Sequence, residues 1–136
     1  MGFHTPQGLK QKDMPHFVAR EQKELVAEVI GPFLEEGEFY VTHGIYNTKD
    51  KLISVKPGQS LGRLVVTNMR LIFWPDKYPQ PKLAVDFDSM YDWEITSMFN
   101  SRGIFFFVEG QRHMFGTHKT AANTIVETLG PERKRS

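Results

Sequence analysis

The stretch GRLVVTNMRLIFWP (residues 62–75) decides the fold of this chain. Apolar residues alternate on both sides of Asn68-Met69, which is typical of two strands joined by a two-residue turn. Asn68 favours the turn, because its short side chain tolerates a positive φ and hydrogen-bonds to nearby backbone. A turn at this dipeptide predicts four facing pairs: Val66 with Leu71, Leu64 with Phe73, Val65 with Ile72 and Arg63 with Trp74.

The outer face of this hairpin is unusually apolar for a protein surface. It carries Val65, Ile72 and Trp74, with Arg63 beside them and Tyr78 in the loop that follows. One interpretation is that these five residues meet a protein partner or a second copy of the chain, since Trp and Tyr are common interface anchors. The other is that an element of the same chain covers the face, since exposed apolar patches are uncommon on monomers.

An amphipathic helix is predicted over residues 18–30 and is the element that would cover this face. Its apolar positions recur at helical spacing, and Gly31-Pro32 ends it. In that arrangement we expect Arg63 to stack on Trp74 as a surface cation–π contact. The apolar positions are Leu25, Val26, Val29 and Ile30.

Short strands fill most of the remaining sequence. They are predicted over residues 39–46, 52–55, 83–88, 92–98, 104–108 and 111–115, with a turn at Glu109-Gly110. A last helix is predicted over residues 117–129, with Thr117 as its N-cap and Gly130-Pro131 as its stop. This order predicts a mainly β (α+β) fold: a partly open antiparallel barrel of about seven strands, capped by the C-terminal helix.

Length and composition are those of one globular domain. We expect a flexible arm at residues 1–17, a single domain at 18–130 and a basic tail at 131–136. Hydrophobic residues make up 40% of the chain and charged residues 24%, and no apolar run is long enough to span a membrane. The sequence predicts a cytoplasmic protein, either free or peripheral to a membrane.

Several function classes are disfavoured by the residues present. A net charge of +1 argues against nucleic-acid binding through phosphate neutralisation. The chain has no cysteine, and its histidines and carboxylates show neither metal-ligand spacing nor a catalytic pattern. Glycine-rich phosphate loops and nucleophile elbows are absent from the sequence. We therefore expect no enzyme, no catalytic residue, no metal and no cofactor.

Three segments together resemble a known family. They are LEEGEF (34–39), the hairpin GRLVVTNMRLIFWP (62–75) and FDSMYDWEI (87–95), followed by the predicted strand pair 104–115 and helix 117–129. This pattern resembles the GRAM and bacterial PH-like domains of the pleckstrin homology superfold, over about residues 20–130. The resemblance is concentrated in the hairpin, which matches G-x-L-x-x-T-N-x-R-L-I-F. It implies a seven-stranded barrel with a C-terminal helix, no catalysis, and binding of phosphoinositides, other anionic lipids or proteins.

Lysines mark the candidate anion site. Lys49 and Lys51 lie in a predicted turn with Lys56 close behind, and three ammonium groups could hold a phosphate, although the same lysines could simply solvate a loop. Lys77 and Lys82 flank Tyr78 in a proline-rich loop and could add charge at a membrane interface. Because the overall charge is balanced and the outer hairpin face is apolar, protein binding or self-assembly is favoured over anionic-lipid binding.

Overall fold

A computed structural model describes residues 23–98 and 101–130 of the chain. The predicted arm (1–17), the predicted beginning of the first helix (18–22) and the predicted basic tail (131–136) lie outside the described residues. Within the described ranges, no helix is both long enough and apolar enough to cross a membrane.

Seven antiparallel strands and two helices make up the described part of the chain. Helix α1 (Lys23–Ile30) leads into a short 3-10 turn (Gly31–Phe33), and helix α2 (Lys119–Leu129) comes last. The strands are β1 (Tyr40–Thr48), β2 (Ser60–Thr67), β3 (Arg70–Pro75), β4 (Leu83–Asp86), β5 (Tyr91–Met98), β6 (Ser101–Val108) and β7 (Gln111–His118). They form one curved sheet in the order β4-β3-β2-β1-β7-β6-β5, which confirms the predicted seven-stranded architecture with its C-terminal helix.

The hairpin of β2 and β3 has the predicted register. All four predicted pairs face each other, from Arg63 with Trp74 to Val66 with Leu71. The predicted role of Asn68 is wrong in detail, because this residue does not adopt a positive φ. The Thr67 hydroxyl instead accepts hydrogen bonds from the amides of Met69 and Arg70, at 3.1 and 3.0 Å, and so tightens the turn.

The segment that leads into β1 is fastened to this turn by buried polar contacts. Glu38 Oε2 accepts hydrogen bonds from the Thr67 hydroxyl at 2.6 Å and from Arg70 Nε at 2.8 Å. Arg70 also donates to the Phe33 carbonyl at 2.7 Å, and Asn68 bonds to the backbone of Phe39 and Gly37. The LEEGEF segment and the hairpin motif therefore form one network, which we call the hairpin clip (Glu38, Thr67, Asn68 and Arg70).

Apolar residues form one cluster on each face of the sheet. The larger cluster fills the barrel, where Phe73 makes edge-on contacts with Tyr46 and Phe115, with ring centroids 5.1 Å apart in both cases. Gly62 permits this packing, because a Cβ there would lie 2.5 Å from the Trp74 carbonyl oxygen and 2.7 Å from the Tyr46 ring. The second cluster lies beneath α1 on the outer face of the hairpin.

The prediction of a strand over residues 52–55 is wrong. These residues form turns instead, because the Asp50 carbonyl accepts the amides of Ile53 and Ser54 at 3.2 and 2.8 Å. Strand β2 accordingly begins only at Ser60. Ile53 nevertheless reaches the barrel interior, where it is fully buried. A long connecting segment (residues 49–59) therefore links β1 to β2.

Helix α2 closes the barrel with the predicted apolar stripe. Ala121, Ala122, Ile125 and Leu129 are buried, and Gly130 follows with a φ of 82°. Thr117 is not the N-cap that was predicted, because it belongs to β7 and its hydroxyl donates to the Ile45 carbonyl at 3.0 Å. The helix consequently begins two residues later, at Lys119.

Candidate functional site

A cleft of about 910 Å³ opens beside strand β4. One wall is β4 itself with Ser89, and the other is the β6–β7 turn together with residues 50–52 of the β1–β2 segment. We call it the edge cleft, because β4 is an edge strand of the sheet. Its lining mixes polar and apolar side chains, among them Lys51, Leu52, Asp86, Glu109 and Arg112.

Asp50 fixes the β1–β2 segment against this cleft. Its carboxylate lies 3.1 Å from Nδ1 of His113 and accepts the Met114 amide at 3.2 Å. The same carboxylate accepts the Leu52 amide at 2.9 Å. Thr48 adds a second tie, because its hydroxyl donates to the Met114 carbonyl at 2.6 Å. The sequence around Asp50 does not indicate this role, because His113 and Met114 lie far along the chain.

The β6–β7 turn forms the opposite wall in a defined conformation. Glu109 and Gly110 have φ values of 52° and 80°, as a two-residue hairpin turn of the primed type requires, and Val108 pairs with Gln111 across it. The predicted turn at Glu109-Gly110 is thereby confirmed. The geometry leaves the Glu109 side chain exposed at the mouth of the cleft.

The edge cleft carries charges of both signs. Asp50 faces His113, and Arg112 donates to Glu94 at 2.7 Å while its guanidinium lies 4.0 Å from the centre of the Phe105 ring. Within the described part of the chain, Lys51, Asp86 and Glu109 line the cleft without an ion-pair partner. One basic group therefore stands against two acidic ones.

A second, smaller cavity of about 320 Å³ lies between the start of β2 and the β3–β4 loop. Lys56 and Lys77 line it together with Asp76, and we call it the lysine pocket. The buried Arg63 forms an ion pair with Asp76, which is partly exposed. Burial lowers the pKa of Arg63, because charge is costly away from water. The Nε and Nη2 atoms of Arg63 are buried without a hydrogen-bond partner among the described residues.

The five candidate lysines lie in different parts of the structure. Lys51 lines the edge cleft, whereas Lys56 and Lys77 line the lysine pocket. Lys49 is exposed on the β1–β2 segment and lines neither cavity. Lys82 donates from Nζ to the Ser54 carbonyl and so braces the β1–β2 segment. The predicted grouping of Lys49, Lys51 and Lys56 around one phosphate is therefore not the arrangement found.

The apolar face of the hairpin is covered by α1, the second of the two interpretations drawn from the sequence. Val65, Ile72 and Trp74 lie beneath the helix, where Phe33 meets Trp74 edge-on with ring centroids 5.6 Å apart. Trp74 is 1% exposed, and its Nε1 donates to the Tyr78 carbonyl at 2.8 Å.

Arg63 and Tyr78 complete the five residues predicted for a protein interface. Arg63 does not stack on the surface with Trp74 as expected, because it is buried against Asp76. Tyr78 is the member of the five whose side chain is exposed in the structure.

Comparisons with solved structures identify the fold as that of pleckstrin-homology domains. The C-terminal domain of an unknown protein from Leishmania infantum matches with a TM-score of 0.55 at 12% identity, over 78% of this chain and 95% of that one. The N-terminal PH domain of Vps36 matches with a TM-score of 0.51 at 21% identity, over 72% of this chain and 83% of that one.

A DUF1696-family protein with a pleckstrin-homology domain, from Shewanella loihica PV-4, matches with a TM-score of 0.50 at 17% identity, over 79% of this chain and 95% of that one. No protein-family model matches the chain, and neither does any curated protein. At these identities the likeness concerns the fold alone. The chain therefore has a PH-like fold, made of the seven-stranded sheet and α2.

Proposed function

We propose that this PH-like domain is a non-catalytic binding module whose ligand is a protein partner or a second copy of the chain. The observation that carries the proposal is the mixed charge of the edge cleft, where Lys51 stands against Asp86 and Glu109. A phosphorylated headgroup is usually held by several cationic side chains at once. A cleft with opposed charges beside exposed Leu52 is better suited to a protein surface.

Because α1 covers the hairpin face, the edge cleft is the surface that we propose for partner binding. Val65, Ile72 and Trp74 cannot meet a partner while α1 lies over them, whereas the edge cleft is open to solvent. The hairpin motif further supports a narrower kinship with GRAM domains, which we include in the proposal together with a cytoplasmic adaptor role.

Affinity purification with charge-swapped variants tests this function. Lys51→Glu combined with Glu109→Lys exchanges the positions of these two cleft charges while leaving the net charge unchanged. Lys119→Glu combined with Glu127→Lys is the matched control, because both residues are exposed on α2, away from the cleft. We expect a protein that wild type and the α2 control retain, that the cleft variant loses, and that binds the purified domain directly.

Sedimentation velocity of wild type, the cleft variant and the α2 control over a range of concentrations tests self-assembly. Association of wild type and the α2 control, but not of the cleft variant, would identify a second copy as the ligand. Identical retained proteins and identical sedimentation for all three would overturn the proposal.

Binding to an anionic lipid is the second candidate, and the lysine pocket favours it. Lys56 and Lys77 share one cavity, and the Asp76 beside them is already neutralised by Arg63. The local charge is therefore positive, although the cavity is small and the lysines are exposed. Exposed ammonium groups near a negatively charged bilayer contribute about 1 kcal/mol each.

Co-sedimentation with vesicles decides between the two candidates. Neutral vesicles and vesicles containing an anionic phospholipid are compared at low and moderate salt, because screening must weaken a surface electrostatic attraction. Lys56→Glu with Lys77→Glu is the test variant, and Lys49→Glu with Lys51→Glu is the matched pair outside that pocket. Salt-sensitive pelleting that only the first pair abolishes would support the lysine pocket. Absence of pelleting under every condition would remove the lipid candidate.

A further inference from the structure

Strand β4 presents a free backbone edge to the edge cleft. It pairs with β3 on one side, and among the described residues no strand pairs with it on the other. Edge strands of this kind offer unpaired N–H and C=O groups to any extended chain that comes alongside. The strand spans four residues, which corresponds to a length of about 13 Å.

The register identifies which groups point into the cleft. The Phe87 amide donates to the Met69 carbonyl at 2.9 Å, in line with the pairing of Leu71 with Val85. Hydrogen-bonded pairs alternate along an antiparallel ladder, so Leu71 and Val85 form the next bonded pair. The N–H and C=O groups of Ala84 and Asp86 are left pointing away from β3, toward the cleft.

The rest of β4 is held firmly in place. Leu83 and Val85 are buried in the barrel cluster, and Ala84 is buried beneath α1. Both faces of the strand are therefore packed while its outer edge is open. A rigid edge pairs with an incoming strand at a lower cost in conformational entropy than a mobile one.

The shape of the cleft selects a single strand over a second sheet. The β6–β7 turn and the β1–β2 segment stand opposite β4, with Glu109 and Leu52 on that side. Because this wall lies across the cleft from β4, one extended segment can enter the space between them, whereas edge-to-edge pairing of two whole sheets would meet the wall.

The charges of the cleft define the chemistry of that segment. Asp86 and Glu109 lack ion-pair partners among the described residues, and Lys51 alone balances them. A basic side chain on the segment would complement the two acids, and an apolar side chain would contact Leu52, which is exposed. Resting on the protein-binding function proposed above, we propose that β4 accepts an extended, basic and apolar segment of a protein partner as an added eighth strand.

A pair of substitutions at Asp86 separates backbone pairing from charge attraction. Asp86 has a φ of −67° and a ψ of 138°, which proline adopts without strain, and its N–H is not used by β3. Asp86→Pro therefore removes both the N–H and the carboxylate, whereas Asp86→Ala removes the carboxylate alone. Strand addition predicts weaker peptide binding by Asp86→Pro than by Asp86→Ala, by about threefold to tenfold, the usual effect of one hydrogen bond.

The probe is a peptide selected from a phage library of random linear peptides on the wild-type chain. We expect selected peptides to combine a basic residue with apolar residues at alternate positions, and binding to fall when Glu109→Gln removes the second acid. Calorimetry gives the affinities, and matched melting temperatures of Asp86→Pro and Asp86→Ala show that both fold. Equal affinities of these two variants would overturn strand addition.

Amide exchange on the wild-type protein supplies a readout that needs no variant. Peptide binding should slow the exchange of the Ala84 and Asp86 amides, and unchanged exchange at both amides would overturn the inference. Failure to select any peptide would overturn it too. In each of these cases, the proposed function would still be supported if the Lys51→Glu and Glu109→Lys variant lost a protein that wild type retains. Failure of strand addition can therefore be distinguished from failure of the proposed function.

Discussion

Arg70 Nε and Glu38 Oε2 lie 2.8 Å apart, and their side chains are 6% and 0% exposed. This ion pair joins the segment before β1 to the first residue of β3, and the Thr67 hydroxyl bonds to the same carboxylate oxygen. Breaking one side of a buried pair is costly, because the remaining charge stays away from water. The hairpin clip is therefore the polar contact on which we expect folding to depend most.

Glu38→Gln should lower the free energy of unfolding by about 3 kcal/mol, because it leaves the Arg70 guanidinium buried without its main partner. Urea denaturation followed by circular dichroism measures the change. Glu36→Gln is the matched control, since Glu36 is exposed two residues away, and it should stay within about 0.5 kcal/mol of wild type. Equal stability of the two variants would contradict a structural role for the clip.

The clip should also make stability depend on pH. Burial alone would raise the pKa of Glu38, but hydrogen bonds from Arg70, Thr67 and the Glu35 amide, with the charge of Arg70, hold it below its ordinary value. Because the folded pKa is lowered, Glu38 stabilises the protein above the unfolded carboxyl pKa, and this contribution is lost as the pH falls through the folded value.

We therefore expect wild type to lose more unfolding free energy than Glu38→Gln between about pH 6 and about pH 2. Urea titrations at several pH values measure both curves. The other carboxylates and the histidines are common to both proteins, so their contributions cancel in the difference. If the unfolding free energies of the two proteins changed equally with pH, the pKa of Glu38 would be the same in the folded and unfolded states.

Gly62→Ala should destabilise the barrel by about 2 kcal/mol or more, because the added Cβ would press on the Trp74 carbonyl and the Tyr46 ring. Gly31→Ala is the control, since a Cβ there meets nothing within 4 Å. We expect it to be neutral or slightly stabilising. Thermal melts compare the melting temperatures of the two variants with that of wild type. An unchanged melting temperature for Gly62→Ala would show that the hairpin can relax around a methyl group.

Docking of α1 should depend on its buried face. Val29→Ala removes apolar contact beneath the helix and should cost about 2 kcal/mol, with faster amide exchange in α1 than in the barrel. Leu25→Ala changes an exposed position of the same helix and should have little effect. If the α1 amides exchange at the same rate in both variants, the helix is not held by its contacts with Trp74 and its neighbours.

Asp50→Ala should free the β1–β2 segment without unfolding the barrel. The amides of Leu52 and Met114 donate to the Asp50 carboxylate and should lose protection from exchange. Lys49→Ala, at the exposed neighbouring position, should leave both amides protected. Protection of Leu52 and Met114 that survives in Asp50→Ala would show that backbone turns alone hold the segment.

Local patterns in the sequence predicted those parts of the fold that local chemistry determines. The register of the hairpin follows from alternation about a two-residue turn, and the α2 stripe follows from helical spacing. The turn at Glu109-Gly110 is equally local, because it needs only residues that tolerate a positive φ.

Contacts between distant residues account for what could not be predicted. Asp50 and His113 are 63 positions apart, and Glu38 and Arg70 are 32 apart. Nothing near either residue in the sequence marks its partner. The candidate lysines were visible individually, but which cavity Lys51 or Lys56 lines depends on how the β1–β2 segment folds back on β7.

The chain contains two tryptophans, and the fold places one in each apolar cluster. Trp93 lies inside the barrel, whereas Trp74 lies beneath α1. Trp93→Phe leaves an intrinsic fluorophore that reports on the helix, and Trp74→Phe leaves one that reports on the barrel. The protein therefore carries two built-in optical probes, and stopped-flow emission from the two variants can order helix undocking and barrel opening in time without any added label.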